Sequence, residues 1–364
     1  STDSPFDDPA GFKFGEGGDQ NLVKIGSHNN KTTDSIRIYT GWAPQWLMFK
    51  NTTQASNWAM YDVMRGIFLG ADGPSLAADT NNAENGVVGA GEIVLPHGDG
   101  FTIKYGLTAV NPGNGDKIVY VAIRGTDGSI SSPPDAGTDV FAMDTGNGSS
   151  IIPAIDTGFP VDFGLAKKPG TTDDWRAGSR LTGTWAIFTN NTDVQSSQTH
   201  QVWDSNLGFW KSIDSDFQGW GWKRGAGFDV VGFDGTSANP GPDYSHGLGK
   251  TPAFTIIKNL DSTSGSWAAK HHLMSSTKQC FVDNNYAESL SSYGYIKDYS
   301  GTSTISFATN GSNWENTNAT GDTLVAYIWA EIEGVSKFGK YVGNGNDSGP
   351  YVKLGFKPAI LIIK

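Results

Sequence analysis

Tryptophan side chains are the clearest candidates for binding chemistry in this sequence. Six of the 12 tryptophans lie between Trp175 and Trp222, although a packed domain of that size needs few of them in its core. An exposed indole ring stacks on the apolar face of a pyranose, while neighbouring Asp, Asn or Arg groups bind the sugar hydroxyls. We therefore predict a glycan-binding surface, and its candidate residues are Trp203, Trp210, Trp220 and Trp222.

Two of these candidates, Trp220 and Trp222, are separated by a single glycine in the sequence QGWGWKRG. On a β-strand, residues two apart point to the same face, so both rings would lie on one side of a sheet. The alternative interpretation places these rings against a neighbouring module or a second subunit instead of a sugar.

Other side chains show no arrangement that indicates catalysis. The motifs G-x-S-x-G and H-E-x-x-H are absent, and the seven glutamates include no evident acid/base pair. The triplet GKT at 249–251 resembles the end of a phosphate-binding loop. However, Tyr244 stands where the first glycine of that loop belongs, and Pro252 stands where its helix should begin. We therefore expect neither an enzyme nor a nucleotide-binding protein.

Metal ligands are equally sparse. Only His271 and His272 are close in sequence, and neighbouring side chains on a strand point to opposite faces, so we predict no zinc site. Asp-rich turns at 72–79 and 234–243 could hold Ca²⁺, but neither has the alternating oxygen ligands of a 12-residue calcium loop. We therefore expect no cofactor, with Ca²⁺ as the one alternative.

Composition narrows the class of protein. The net charge of −11 argues against a nucleic-acid partner, which would require clustered Lys and Arg. The acidic residues are 30 Asp and seven Glu, and Asp favours turns whereas Glu favours helices. Cys280 is the only cysteine, so no intrachain disulfide can form, and no apolar run is long enough for membrane insertion as a helix. Stability must therefore come from packing or assembly in a protein built of strands.

A repeated frame organises the chain. In each of four copies a glycine stands nine residues before a lysine, and a proline follows the glycine by two or three positions. In the first three copies a tryptophan follows the glycine by 17 or 18 positions. The frame residues are Gly41, Pro44, Lys50 and Trp58 in the first copy; Gly158, Pro160, Lys167 and Trp175 in the second; Gly249, Pro252, Lys258 and Trp267 in the third; and Gly355, Pro358 and Lys364 in the fourth.

Each frame residue has a predictable structural role. The glycine permits a tight turn. The proline fixes φ, and because it has no backbone N–H it cannot donate a hydrogen bond to a neighbouring strand. The apolar, β-branched run that follows, as in residues 253–257, predicts a buried strand. The lysine would then mark a solvated strand end, and the recurring tryptophan would lie in the core.

The predicted fold class is all-β, with tandem antiparallel β-sandwich modules of concanavalin-like or jelly-roll-like type. The sequence divides into a lead-in arm at 1–21, module 1 at 22–125, a Pro/Ser/Gly linker at 126–138, module 2 at 139–227 and module 3 at 228–335. Residues 336–364 repeat the pattern of residues 24–50 and predict a β-hairpin that starts a fourth module. Because an isolated hairpin is marginally stable, we expect further chain, module 3 or a neighbouring subunit to complete it.

Several longer segments resemble a known group of repeats. They are PFDDPAGFKFGEGGDQNLVKIGS, GWAPQWLMFKNTTQASNWAMYDVMRG, GTDVFAMDTGNGSS, GFPVDF and WKRGAGFDVVGFDGT leading into HGLGKTP. The sequence resembles the Gly- and Trp-rich modules repeated in virion and tail-fibre proteins of marine bacteriophages, cyanophages above all. The second module departs from the pattern by the short Gly158 to Pro160 spacing and the doublet Lys167-Lys168.

This resemblance implies a structural protein on the surface of a bacteriophage virion, with concanavalin-type β-sandwich modules and no catalytic residues. Its implied partners are other phage structural proteins and host cell-surface polysaccharide for host attachment, and fibres of this kind often assemble as homotrimers. Three functions remain open: a tail fibre or appendage that binds host glycan, an architectural capsid decoration or neck or tail scaffold without a ligand, and a polysaccharide depolymerase.

Overall fold

The computed structural model describes residues 23–29, 35–65, 67, 74–86, 94–97, 100–104, 115–124, 136–290, 294–309 and 313–364. Within these ranges the regular secondary structure consists of β-strands and one 3₁₀ turn at Gly137–Asp139. Its sheets are antiparallel and fall into separate modules, which confirms the predicted all-β class and is consistent with tandem β-sandwiches. The described part of the chain holds no helix that is long and apolar enough to span a bilayer. The predicted arm at 1–21 and most of the predicted linker lie outside the described residues.

The strands fall into three sets that follow the predicted modules. The described strands of module 1 are β1 Val23–Asn29, β2 Ile36–Tyr39, β3 Pro44–Asn51, β4 Ala59–Asp62, β5 Pro74–Ala77, β6 Asn85–Gly86, β7 Val94–His97, β8 Gly100–Ile103 and β9 Lys117–Arg124. Those of module 2 are β10 Phe141–Thr145, β11 Ile155–Asp156, β12 Phe163–Lys167, β13 Arg176–Ser179, β14 Trp185–Phe188, β15 Ser196–Ser197, β16 Gly208–Phe209 and β17 Gln218–Trp222. Those of module 3 are β18 Phe228–Asp234, β19 Asp243–Ser245, β20 Phe254–Asn259, β21 Ala268–His271, β22 Lys278–Phe281, β23 Ser289–Leu290, β24 Gly294–Ile296, β25 Thr304–Thr309 and β26 Thr323–Trp329.

All three modules share one strand order in a large, six-stranded sheet. The orders are β1-β9-β3-β4-β5-β6, β10-β17-β12-β13-β14-β15 and β18-β26-β20-β21-β22-β23. In each sheet the first strand of the module pairs with the last, and the last pairs with the strand that follows the frame glycine. The chain is therefore a tandem repeat of one architecture.

A small second sheet covers one face of each large sheet. These small sheets are β2-β8-β7 in module 1, β11-β16 in module 2 and β19-β25-β24 in module 3. In module 3, side chains from the two sheets meet in a buried core that includes Phe233, Ile257, Phe307 and Leu324. The rings of Phe233 and Phe307 stack with centroids 5.3 Å apart. Because side chains alternate along a strand, the other face of the large sheet is left for a different contact.

Module 2 builds its core differently, because the covered face of its large sheet is lined by glycines. A Cβ at Gly164 would lie 2.5 Å from the Phe209 ring, and a Cβ at Gly221 would lie 2.8 Å from Val161. A Cβ at Gly219 would lie 2.5 Å from Ile155. These glycines leave room for large aromatic side chains from the loops and the small sheet to fill the interior.

The frame glycines all adopt the left-handed backbone conformation that the sequence predicts for a tight turn. Their φ angles are +87° at Gly41, +76° at Gly158, +62° at Gly249 and +92° at Gly355. Residues with a Cβ rarely adopt these angles, so glycine is required at each turn. A strand follows the first three turns, and no strand follows the fourth.

The frame lysines of modules 1 to 3 are not solvated strand ends, so this prediction was wrong for them, whereas Lys364 is exposed. Lys258 is fully buried, and its Nζ donates to the Gly265 carbonyl at 2.7 Å and the Thr192 carbonyl at 3.0 Å. Lys50 donates to the carbonyl of Ser56, and Lys167 to that of Thr171 at 2.9 Å. Each of these three ammonium groups therefore ties the end of its strand to a carbonyl of the loop that follows, and Lys258 also bonds to a carbonyl of module 2. These bonds satisfy polar groups that would otherwise need water.

A buried amide beside the lysine provides a second repeated contact. Asn51 donates to the Asp116 carboxylate at 3.1 Å, and Asn259 donates to the Asp322 carboxylate at 2.7 Å. Both aspartates directly precede the last strand of their module, so this hydrogen bond joins the two central strands of the sheet. In module 2 Lys168 replaces the asparagine, and its Nζ lies 2.9 Å from the Asp216 carboxylate. The Lys167-Lys168 doublet thus exchanges an amide contact for an ion pair.

The frame tryptophans do not share one environment, so their predicted core role holds only in module 3. Trp267 is 1% exposed, whereas Trp58 is 37% exposed and Trp175 is half-buried. All three precede the strand after the frame strand, on the sheet face that the small sheet leaves uncovered. Trp267 is buried because module 2 covers its position, as the contacts below show.

The predicted hairpin at 336–364 is not formed. Residues 337–364 contain no strand, and exposed apolar side chains such as Val342 and Tyr351 are spread along them. Side-chain contacts at both ends of the segment hold it to module 3. The Phe338 ring stacks on Phe254 with centroids 6.3 Å apart, and Lys364 Nζ donates to the Phe281 carbonyl at 3.2 Å. No described strand pairs with this segment, so its backbone groups lack the ladder that would make it a hairpin.

Burial of Lys258 gives a testable dependence of stability on pH. Burial lowers the pKa of Lys258 to about 8, although the carboxylates of Asp283, Asp193 and Glu315 act in the opposite direction. In the unfolded chain the lysine pKa is about 10.4, so between these values the unfolded state binds more protons. The Lys258 contribution to the free energy of unfolding should therefore rise with pH across this range, by at most about 3 kcal/mol.

Urea denaturation of the wild type and a Lys258→Met variant, repeated from pH 7.5 to 10.5, measures this contribution as their difference. The exposed Lys117 on β9 supplies the matched control Lys117→Met, whose pH profile should follow the wild type. Parallel profiles for the wild type and Lys258→Met would contradict the prediction.

Candidate binding surface

Modules 2 and 3 pack their large sheets against each other through a shared set of aromatic and aliphatic side chains, the inter-module core. The ring of Phe163 on β12 lies 4.2 Å from that of Tyr327 on β26, centroid to centroid. The Trp222 and Trp329 rings meet edge to face at 6.4 Å. The buried members of the inter-module core from modules 2 and 3 are Phe163, Ala177, Leu181, Ile187, Phe228, Val230, Leu260, Trp267, Val325 and Tyr327, and Leu95 of module 1 packs with them.

Hydrogen bonds fix the relative position of these two modules. The Trp267 indole Nε1 of module 3 donates to the Phe188 carbonyl of module 2 at 2.8 Å. The backbone N–H of Gln195 in module 2 donates to the Leu260 carbonyl in module 3 at 3.3 Å. Since Lys258 also reaches the Thr192 carbonyl, polar contacts border the apolar core. The two modules therefore form one packed unit.

Two of the predicted glycan-binding tryptophans are buried, which removes them from any surface. Trp203 is 4% exposed and Trp210 is fully buried, and both belong to the interior core of module 2. The Trp203 ring stacks on Phe209 at 5.9 Å, and its Nε1 donates to the Gly183 carbonyl at 2.7 Å. The glycine-lined face of the sheet gives these rings their space. They are core residues of module 2.

Trp220 and Trp222 lie on the same sheet face, as their spacing predicts. Trp222 is paired in register with Phe163 and Phe141, and it packs against the inter-module core. Its role is therefore the module contact, which was the alternative interpretation. Trp220 is half-buried, and its ring stacks on Trp175 with centroids 5.5 Å apart and planes inclined by 28°.

Trp220, Trp175 and Met143 define an aromatic face on module 2. Met143 pairs in register with Trp220, so their side chains point to the same side, and Met143 is 44% exposed. Polar groups adjoin the rings. The Asn190 side chain accepts a hydrogen bond from the backbone N–H of Trp175 and donates one to the Asp174 carboxylate. Two adjacent indole rings with an exposed amide and carboxylate beside them form a suitable surface for a sugar.

Sequence reasoning missed two members of this face. Trp175 was assigned to the core because it recurs in the frame, and Met143 gave no signal by residue type. The register of β10 against β17 places Met143 opposite Trp220, and the start of β13 brings Trp175 beside it. A sequence pattern that repeats in every module does not reveal which copy is left uncovered.

The structure gives no support to a metal site among the residues that it describes. No group of three or more His, Cys, Asp or Glu side chains there could hold an ion. His271 and His272 have ring centroids 4.8 Å apart, with no third ligand in the described ranges. Of the two Asp-rich turns, 234–243 has its Asp234 carboxylate in an ion pair with Lys104, and part of 72–79 lies outside the described residues.

We predict that Phe163→Ala destabilises the chain by about 3 to 5 kcal/mol, because it opens a cavity where modules 2 and 3 meet. The free energy of unfolding from guanidinium denaturation measures the loss. Ile151 in module 2 is 76% exposed, so Ile151→Ala is the control and should change stability by less than about 0.5 kcal/mol. Equal stability of the two variants would show that the inter-module core contributes little.

Comparison with known proteins places the chain in a family without an assigned function. The family model of a domain of unknown function, DUF7483, matches residues 19–126 and 221–364. These segments cover module 1 and module 3 with the C-terminal segment, and most of module 2 lies outside them. No curated protein and no solved structure matches the chain. Since the match spans more than half of the sequence, this chain belongs to the DUF7483 family.

Proposed function

We propose that this chain is a structural protein of a bacteriophage virion, a component of a tail fibre or other appendage on the particle surface. The observation that supports this proposal is the repetition of one strand order in three consecutive modules. Repetition of a module extends a protein without a new fold, which suits an appendage. The inter-module core adds stiffness, because two modules that share a buried core cannot move independently.

Charge and sequence resemblance support the same proposal. A net charge of −11 favours solubility of a protein exposed on a particle. The resemblance of the sequence to repeat modules of marine phage virion proteins supplies the viral context. Other structural proteins of the particle and further copies of this chain, as in a trimeric fibre, are the partners that fit the proposal.

Immunogold electron microscopy of phage particles tests the virion assignment directly. Antibodies raised against the full chain should label an appendage of intact particles purified by density gradient. Pre-immune serum is the control for non-specific binding of the gold label. Particles that contain no detectable chain by labelling and by mass spectrometry, from a phage that encodes it, would refute the assignment.

A second function, binding of host-surface glycan, is supported by the aromatic face of module 2. The half-buried Trp175 and Trp220 rings stack together, and Asp174 and Asn190 are exposed beside them. An architectural role predicts instead that another subunit covers this face in the assembled particle. The two functions differ in whether the face remains accessible to solvent.

We predict that Trp220→Ala weakens binding of the full chain to a bacterial polysaccharide array by about 30-fold, equivalent to about 2 kcal/mol. The control is Trp58→Ala, which removes an indole ring that is 37% exposed and lies in module 1, outside the aromatic face. This control should retain wild-type binding. Loss of binding in both variants, or in neither, would contradict a specific role for the aromatic face.

Quenching of tryptophan fluorescence separates glycan binding from a purely architectural role. On assembled particles, acrylamide should quench the wild type more than a Trp175→Phe, Trp220→Phe double variant if the face is open. Equal quenching of the two would indicate that the rings are covered by a neighbouring subunit, which favours the architectural role.

A further inference from the structure

A cavity of about 290 Å³ lies between modules 1 and 3, apart from the aromatic face of module 2. Gly41 and Gly249 both line it, so the frame turns of the two modules border one space. The polar part of the lining includes Arg124, Ser245 and His246, with Thr302 at an exposed position. The cavity therefore combines one permanent cation with several hydrogen-bond donors.

Arg124 is the charged group of this cavity and has no anionic partner among the described residues. It is the last residue of β9, and its Nε is buried without a hydrogen-bond partner. A guanidinium carries five N–H donors in a planar fork that matches a carboxylate, sulfate or phosphate. A buried donor left unpaired is costly, so an oxyanion that accepts from it would gain affinity.

His246 is a second polar side chain that lines the same cavity. Its residue is 4% exposed, and its Nδ1 accepts a hydrogen bond from the Leu248 N–H at 3.4 Å. The proton of the neutral ring therefore belongs on Nε2, a buried atom that has no hydrogen-bond partner of normal geometry. Burial lowers the pKa of His246, although the Asp229 carboxylate and a backbone hydrogen bond to Thr304, which also lines the cavity, act in the opposite direction.

The carboxylates that could neutralise Arg124 are already engaged. An adjoining cavity of about 90 Å³ shares Arg124 and is also lined by Asp162, Asp229 and Lys223. Asp229 accepts from the Arg224 Nε at 2.6 Å and from the Gly247 N–H at 2.6 Å. Asp162 accepts from the Arg224 N–H at 2.8 Å. Lys223 has no ion pair among the described residues, which leaves two cations uncompensated at this junction.

We propose that the cavity between modules 1 and 3 is a binding site for a single oxyanionic group, a carboxylate, sulfate or phosphate. Arg124 supplies the charge and a bidentate contact, and the neutral ring of His246 adds a polar wall beside it. The Ser245 and Thr302 hydroxyls line the same cavity as further donors. The site does not depend on the aromatic face, since module 2 contributes no residue to this cavity.

Isothermal titration calorimetry on the full chain tests this site with two probes, sodium sulfate and sodium glucuronate, at ionic strength held constant with sodium chloride. Saturable binding of sulfate indicates an inorganic ion as the source of the group, and binding of glucuronate indicates an acidic sugar. Arg124→Gln should weaken either interaction by about tenfold or more. The matched control is Lys117→Gln, which removes the same charge from the opposite, exposed end of β9 and should leave the affinity unchanged.

The absence of saturable binding for both probes would overturn the proposal, as would equal affinities of Arg124→Gln and the wild type. If Arg124→Gln does not fold, as judged by near-ultraviolet circular dichroism, the variant Thr302→Trp decides the question. Thr302 is exposed, so the larger side chain is tolerated and blocks the cavity. Retention of wild-type affinity in that variant would equally overturn the proposal.

Discussion

The structure depends on two apolar sheet faces that cannot both remain in water. Each module covers one face of its large sheet with a small second sheet, and in modules 2 and 3 the other face carries Phe, Trp, Tyr and Val side chains. Packing these faces together removes Phe163, Trp267 and Tyr327 from solvent. Burial of side chains of this size is worth about 1.5 to 3 kcal/mol each, so the contact is comparable in strength to a domain core.

This constraint explains why module 2 has an unusual interior. Its strand β17 alternates glycine with tryptophan, so one face is nearly flat and the other is aromatic. The flat face admits Trp203, Phe209 and Trp210 from the loops and the small sheet. The rings on the other face of β17 have two roles, because Trp222 joins the contact with module 3 while Trp220 remains half-buried beside Trp175. Module 2, which lies mostly outside the family match, thus combines an inward-facing and an outward-facing set of rings.

The sequence predicted those features that depend on backbone conformation and local periodicity. The four frame glycines occupy left-handed turns, and the residues after three of them form strands, because both properties follow from residue type alone. The sequence could not predict what lies opposite a side chain. An ammonium is costly to bury, so the sequence predicts an exposed Lys258. In the structure this ammonium is buried and donates hydrogen bonds to two carbonyl oxygens. The sequence predicts Trp203 on the surface and Trp58 in the core, and the structure shows the reverse. Whether a sheet face is covered depends on contacts between distant strands or modules, which local sequence does not show. Likewise, residues 337–364 have strand-forming composition but no neighbouring strand to pair with.

The pairing of first and last strands in every module has a mechanical consequence. Phe228 lies opposite Trp329, and Phe141 lies opposite Trp222, so the chain enters and leaves a module at the same end of adjacent strands. In antiparallel strands the hydrogen bonds run perpendicular to the chain, and tension applied at these two ends breaks them in succession instead of all at once. A single module is therefore weak when pulled by its termini. Resistance to tension must therefore come from the packing of the module 2 sheet against the module 3 sheet, a contact between side chains that does not depend on the strand ends being pulled.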